Sequence, residues 1–272
     1  MEHTELLKKL NTFYIYANKG FYMDEVFAEK KYAIAYSKNI SDCYWNYVIN
    51  LDIDTKEFCE VHKEITAKMK ALKRDVCYIV SPLYESVYQN RKEIFEANGM
   101  QELFCEGWQV FDKFNELDKI ETNCTYNIVL AKTDDMKMFA AMNTECFHTG
   151  DPEDPYGTLS DEYLTVYENY KEEENANYTR DFFVIKENNH IIGVSVSVYG
   201  DGICGIYGLA IKKEYRGKGI GKEALKKQLQ ICKEKNIKVA FLQTEEGFYP
   251  ADMYRKFGFK DVCSVYAYAE KK

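Results

Sequence analysis

The sequence predicts an α+β protein whose C-terminal part is a mixed, mostly antiparallel sheet flanked by helices, with a second, smaller α/β domain in front of it. Three observations carry this expectation. Three β-rich runs, Asp181 to Lys186, Ile191 to Tyr199 and Ile203 to Ile211, are separated by the turn sequences Glu187-Asn188-Asn189 and Gly200-Asp201-Gly202, which are short enough to fold each run back on the last. The period then changes from two to about 3.6: Gly219 to Lys235 places Ile220, Ala224, Leu229 and Cys232 on one helical stripe and is followed by another apolar run, Val239 to Gln243. Finally, the first 115 residues show a similar alternation of helical and extended segments.

Taken in order, a helix near Leu6 to Tyr14 precedes strands at Tyr32 to Tyr36 and Tyr44 to Asn50, a helix at Lys56 to Leu72, a strand at Val76 to Val80 and a helix ending near Phe95. Two readings stay open: a shortened copy of the C-terminal fold, or the ordinary alternation of a mixed domain. The polar stretch Asn115 to Thr122 interrupts the apolar pattern and sets the boundary, giving domains 1–118 and 119–272. A strand Cys124 to Ala131 follows, then a helix capped by Asp134-Asp135 that carries Met136, Phe139, Ala140, Met142 and Cys146. Next come the polar loop His148 to Leu159 and a helix Asp161 to Glu173, before the three strands. After Gln243 the pattern gives a short helix to Lys256 and terminal strands.

Composition narrows the function. With 46% apolar and 15% aromatic residues, the chain has material for a large core. Its longest apolar stretches, such as Ile191 to Val198, fall far short of the ~20 residues a bilayer requires. Met1 to Glu5 does not read as a secretory leader, so the expectation is a soluble, cytoplasmic protein without a membrane partner. Nine cysteines without a two-residue spacing argue against a disulfide framework and a zinc knuckle. The four scattered histidines give a metal centre little support. A net charge of −8 disfavours nucleic acid and suits neutral or cationic partners. Nothing decides the oligomeric state, and a homodimer stays open.

The most informative stretch is Leu209-Ala210-Ile211-Lys212-Lys213-Glu214-Tyr215-Arg216-Gly217-Lys218-Gly219-Ile220-Gly221. It joins an apolar strand to a helix through a glycine-dense turn. Glycines let backbone amides converge on one anion, the helix start adds its positive dipole end, and Arg216 and Lys218 add charge. A pyrophosphate fits. The dinucleotide fingerprint fails because its third glycine would fall on Lys222, and the nucleoside-triphosphate loop fails because Gly221-Lys222 is followed by Glu223. Further on, a short helix ends at Gly258 in Met253-Tyr254-Arg255-Lys256-Phe257-Gly258-Phe259.

With its Arg-x-x-Gly-x-Gly pattern at Arg216, Gly219 and Gly221, the preceding strand, and Tyr-x-x-x-Gly-Phe at Tyr254, Gly258 and Phe259, the chain resembles the GNAT acetyltransferase superfamily over about 150 residues. The resemblance implies a GNAT-like fold and acetyl-CoA as co-substrate. Leu209, Ala210 and Ile211 would contact its pantetheine arm, and Arg216, Gly217, Lys218, Gly219, Ile220 and Gly221 would hold its pyrophosphate. An amine would attack the thioester directly, with no cysteine nucleophile. Tyr254 matches the general-acid position. The strand glutamate that many members use as base is absent from Ile203 to Ile211, which leaves Glu245 or Glu246, with Glu245 preferred. The chain also departs from the family at Gly247, where an asparagine often contacts the cofactor, and at Pro250.

The segment Ile94 to Met100 aligns with the tyrosine motif, but Phe95 lacks the hydroxyl and no glycine pattern precedes the helix Lys56 to Leu72. A duplicated N-terminal part would therefore not bind CoA. The loop His148 to Gly157, with Asp151, Glu153, Asp154 and Tyr156, suits a cationic amine through ion pairing and cation–π contact. Such loops are equally often solvated surface. The function expected is acetyl transfer from acetyl-CoA to a primary amine of a small molecule or protein. The alternative is a catalytically weak or inactive CoA-binding or interaction protein.

Overall fold

Two-residue turns set the frame of the C-terminal sheet. Asn188 and Asn189 (φ 47° and 68°), and Asp201 and Gly202 (φ 51° and 75°), all take the left-handed conformation that tight hairpins between twisted strands demand. In this computed structural model they connect β7 (Thr179–Glu187) to β8 (His190–Gly200) and β8 to β9 (Ile203–Ile211). Residues 2–122, 126–132, 135–147, 150–151, 154, 156–171 and 176–271 are described. They divide into two compact units: 1–108 together with 262–272, and 109–261.

The first unit contains α1 (His3–Tyr16), β1 (Glu25–Ala28), β2 (Ala33–Tyr36), β3 (Tyr47–Ile49), α2 (Phe58–Ala71), β4 (Cys77–Val80), α3 (Glu85–Gln89), α4 (Arg91–Ala97) and most of β5 (Met100–Phe111). Strands β1 to β3 form an antiparallel meander, β3 and β4 run parallel around the crossover helix α2, and β4 pairs antiparallel with β11 (Lys260–Glu270). Helix α2 buries Phe58, Val61, Ile65 and Met69 at helical spacing. These pack on Tyr78, Phe95 and Tyr268 in one core cluster. The Phe95 ring stacks on Tyr268 with centroids 4.4 Å apart.

The second unit holds β6 (Asn127–Leu130), α5 (Met136–Cys146), α6 (Asp161–Glu168), β7, β8, β9, α7 (Ile220–Glu234), β10 (Val239–Glu245) and α8 (Tyr249–Phe257). Its sheet order is β10-β9-β8-β7-β6, antiparallel except where β10 runs beside β9. Alternation sorts the faces. Phe182 and Val196, paired across β7 and β8, face α5, where Phe139 meets Phe182 edge-on at 5.4 Å. Ser195 and Ser197 face α7, whose Gln228 bonds both hydroxyls. The mostly antiparallel sheet with helices on its two faces is the architecture the sequence predicts.

Two boundaries fall elsewhere than expected. The turn Phe114–Lys119 is a 3-10 helix that buries Phe114 and Leu117 among Leu225, Leu229 and Tyr254, so residues 109–118 lie in the second unit. The last strand β11 crosses back, and from Val262 onward it belongs to the first. Strand β5, continuous from Met100 to Phe111, was not anticipated. Helix α6 ends at Glu168, short of Glu173. The expected strand start at Cys124 and the Asp134 cap lie outside the described residues.

Leu229 is fully buried at the centre of the second unit's α7-side cluster. Leu229→Ala should cost about 2–5 kcal/mol, the transfer term plus the cavity, seen as a lower urea midpoint at unchanged slope.

Candidate active site

A single irregularity shapes the site. Between β8 and β9 the register runs Val194 to Ala210 and then Val196 to Tyr207, so Ser195 opposes two residues, Gly208 and Leu209. This is a β-bulge, and Gly208 sits in it with φ 54°, a conformation that side-chain-bearing residues rarely adopt. A Cβ placed on Gly208 would lie 3.3 Å from Asn143 Oδ1 and 4.0 Å from the Tyr167 hydroxyl. On the other side, β9 pairs with β10 only from Ile203–Val239 to Gly205–Phe241. Beyond those positions the two strands have no paired register, which opens the sheet where the bulge lies.

Strand β9 runs into the glycine turn. Gly217 and Gly219 are left-handed (φ 75° and 81°), and Gly219 is the N-cap of α7 with no side chain capping it. The first-turn amides of a helix have no acceptor of their own. At Gly217 and Gly221 an added Cβ would meet nothing within 4 Å, so an anion can approach the backbone there. Lys218 holds its ammonium 4.9 Å from the Tyr215 ring centroid.

Arg216 is engaged by the protein itself. Its guanidinium donates to Asp151 Oδ2 at 2.6 Å, to the Cys146 carbonyl at 3.2 Å and to the Ile211 carbonyl at 3.0 Å, with the Asp151 side chain only 2% exposed. It ties the end of α5 and its following loop to the end of β9. Asp154 likewise turns inward, its Oδ1 accepting from the amides of Tyr156 and Gly157. Two carboxylates expected to greet a cationic substrate therefore shape the loop instead. His148, Thr149, Pro152, Glu153 and Pro155 lie outside the described residues.

The two glutamates at the end of β10 separate clearly. Glu246 accepts a two-pronged ion pair from Arg255 at 2.7 and 2.9 Å. Glu245 is half-buried, and desolvation alone raises its carboxyl above the ordinary range, which suits a proton acceptor. Tyr254 lies on α8 with its ring against Phe259. It shares a cluster with Leu209 and Leu242, and burial pushes its phenol well up. Pro250 falls in the first turn of α8, where a missing amide hydrogen costs nothing. Burial pushes the Cys146 thiol up to about 12, so it carries no thiolate at neutral pH.

Sequence reasoning missed Asn143 and the Ser195–Gln228–Ser197 chain. Asn143 is one helical turn from Phe139 in the apolar stripe of α5, and a polar residue in that stripe was the available signal. Gln228 Nε2 donates to Ser197 at 2.9 Å, and Ser195 Oγ donates to Gln228 Oε1 at 3.1 Å while lying 3.4 Å from the Tyr207 carbonyl. No local pattern marks that link.

With this geometry in place, comparison with known proteins bears on residues 140–259. Residues 140–259 match the model of the acetyltransferase (GNAT) family. They form a GNAT domain. A candidate alanine N-acetyltransferase of ribosomal protein bS18 from Bacillus subtilis (strain 168) is 29% identical over 29% of this chain, and the match spans about half, 53%, of that relative. Among solved structures, a GCN5-related N-acetyltransferase from Kribbella flavida superposes with TM-score 0.69 at 12% identity, covering 99% of this chain and 96% of that one. A functionally unknown conserved protein from Staphylococcus epidermidis ATCC 12228 gives 0.70 at 14% identity, with 97% and 98% covered. At these identities the structures speak to the fold. Among the described residues, no helix is long and apolar enough to cross a membrane, and no cluster of side chains could hold a metal ion.

The Glu245 carboxyl keeps its proton in the folded chain at pH values where the unfolded chain has lost it. Wild-type stability should therefore fall as pH rises above the ordinary value of 4.5. Glu245→Gln should be the more stable protein at pH 7, with the difference closing below that value, as read by urea unfolding at both pH values.

Proposed function

We propose that the GNAT domain transfers the acetyl group of acetyl-CoA directly to a primary amine. The observation that carries this is the continuity of bulge, open strand edge and uncapped glycine turn along residues 203–221, which offers a thioester and a diphosphate backbone contacts on one segment. The residues fit acetyl-CoA. Leu209, Ala210 and Ile211 would line its pantetheine arm, and Gly217, Lys218, Gly219, Ile220 and Gly221 its pyrophosphate, with Arg216 holding the turn in shape. When bound, acetyl-CoA supplies an activated acyl group.

The chain's own work is proton management. Glu245, raised by desolvation, takes a proton from the amine through a water. Tyr254, whose buried phenol stays protonated, returns one to the departing sulfur. The amine nitrogen gains the acetyl group as the carbon–sulfur bond breaks, and the released thiol carries the second proton. The acceptor is a small molecule or a protein amino group in the cytoplasm; the Bacillus relative, named for an alanine of a ribosomal protein, favours the protein amino group.

A second reading, a CoA-binding protein with little turnover, draws support from Gly247, left-handed at φ 90° with open space where a side chain would be. The asparagine that the resemblance leads one to expect there is absent. The first unit we read as a worn copy of the same fold: β3–α2–β4 repeats the parallel crossover β9–α7–β10. Its turn carries Asp52 and Asp54 in place of the glycines, which repels an anion.

Acetyl-CoA at a hundred times its Kd should add about 2.7 kcal/mol of stability, a melting shift of several degrees. Gly221→Glu, whose Cβ fits in open space, should abolish the shift while folding normally. Tyr254→Phe should keep the shift and lower kcat for amine acetylation by about a hundredfold. Absence of any wild-type shift at millimolar acetyl-CoA defeats the transferase reading.

A further inference from the structure

Helix α5 carries an unexplained cost. Asn143 is 2% exposed, and its Oδ1 is buried without a hydrogen-bond partner. A polar atom in that state costs about 1–3 kcal/mol relative to a satisfied or apolar one, and the position sits on a helical stripe with Phe139, Ala140 and Cys146, all buried. Leucine there would be the cheaper residue. Groups held against stability in this way concentrate at functional sites.

The direction of the oxygen is informative. It lies 3.3 Å from the point where a Cβ on Gly208 would stand, with the Tyr167 hydroxyl 4.0 Å from the same point. It thus looks onto the backbone of the bulge, from the α5 face, where only a glycine leaves room. A lone acceptor oxygen aimed at that space calls for a donor.

We propose that Asn143 Oδ1 accepts an N–H of the acceptor amine and so aims its lone pair at the thioester, making Asn143 the acceptor-positioning residue of this domain. This rests on the transferase reading above. The choice of a neutral amide is chemically apt. A carboxylate at this depth would stabilise the ammonium form and raise the amine's pKa, whereas an amide oxygen aligns an N–H without that penalty on the nucleophile. The same logic runs through the neighbouring loop, where Asp151 is neutralised by Arg216 and Asp154 is bonded to backbone amides. The substrate class that fits is a primary amine recognised by hydrogen bonding in its neutral form, not a polycation held by ion pairs.

The test uses the full chain, acetyl-CoA and three acceptors: a peptide with N-terminal alanine, phenethylamine and spermidine. Asn143→Leu should lower kcat/KM for the best amine at least tenfold, with KM for acetyl-CoA and the acetyl-CoA melting shift unchanged and the melting temperature of the free protein not reduced. Asn143→Asp should move the pH profile of kcat/KM to higher pH, a change that a purely structural role would not produce. An Asn143→Leu enzyme within twofold of wild type overturns the inference while leaving the transferase reading intact. Loss of the acetyl-CoA shift in Asn143→Leu also overturns it, because the oxygen would then serve the cofactor. A wild type that shifts with acetyl-CoA yet acetylates none of the three overturns both.

Discussion

One extra residue in β9 governs how the GNAT domain is arranged. Because Ser195 faces two residues across the strand pair, side chains after the bulge swap faces. Cys204 and Ile206 pack on α7 before it, and Leu209 and Ile211 do so after it, although an unbroken strand would have turned the odd-numbered residues away. The swap leaves Gly208 as the left-handed residue at the change. It also brings the end of β9 into line with the glycine turn. Substituting a residue with a Cβ there would strain the backbone and press on Asn143, so the bulge and the polar atom beneath it are mutually constrained.

The bulge is held from its α7 face by polar contacts that pure hydrophobic packing could not supply. Gln228 reaches from α7 to Ser195 and Ser197, linking the helix that begins at the glycine turn to the strand residue opposite the bulge. These groups are fully buried, and a satisfied buried network fixes register more firmly than interchangeable apolar contacts do. At the far end, Arg216 binds Ile211, Asp151 and Cys146 in a single fork. The arginine of the Arg-x-x-Gly-x-Gly pattern is thus a clamp on the turn, while the first-turn amides of α7 carry no side-chain cap. In a chain of net charge −8, that division makes sense: backbone dipoles do not compete for the abundant carboxylates as a loose guanidinium would.

How much was legible in the sequence follows from whether the cause was local. The hairpins could be read because Asn188-Asn189 and Asp201-Gly202 encode their own turn geometry. The glycine turn could be read because glycine spacing at a strand-to-helix junction has few physical explanations. The meander, the crossover helix α7 and the short α8 followed from periodicity. What could not be read was non-local. No feature within β11 says that Tyr266 to Ala269 pair with Cys77 to Val80. The bulge is a mismatch between two strands, visible only once their register is known. The pairing of Arg216 with Asp151 could not be read for the same reason: the two are sixty-five positions apart, and spacing along the chain carries no trace of it.

Glu245 and Glu246 show the limit most sharply, since adjacent identical residues have opposite environments. Glu245 ends β10 and Glu246 begins the turn after it; Glu246 meets Arg255, which also binds Asp252 and Asp261, while Glu245 loses water. The Glu246 carboxylate is held in its ion pair with Arg255. A desolvated one is a better base because its proton affinity rises. The sequence supplied both candidates, and the three acids sharing one arginine distinguish their surroundings.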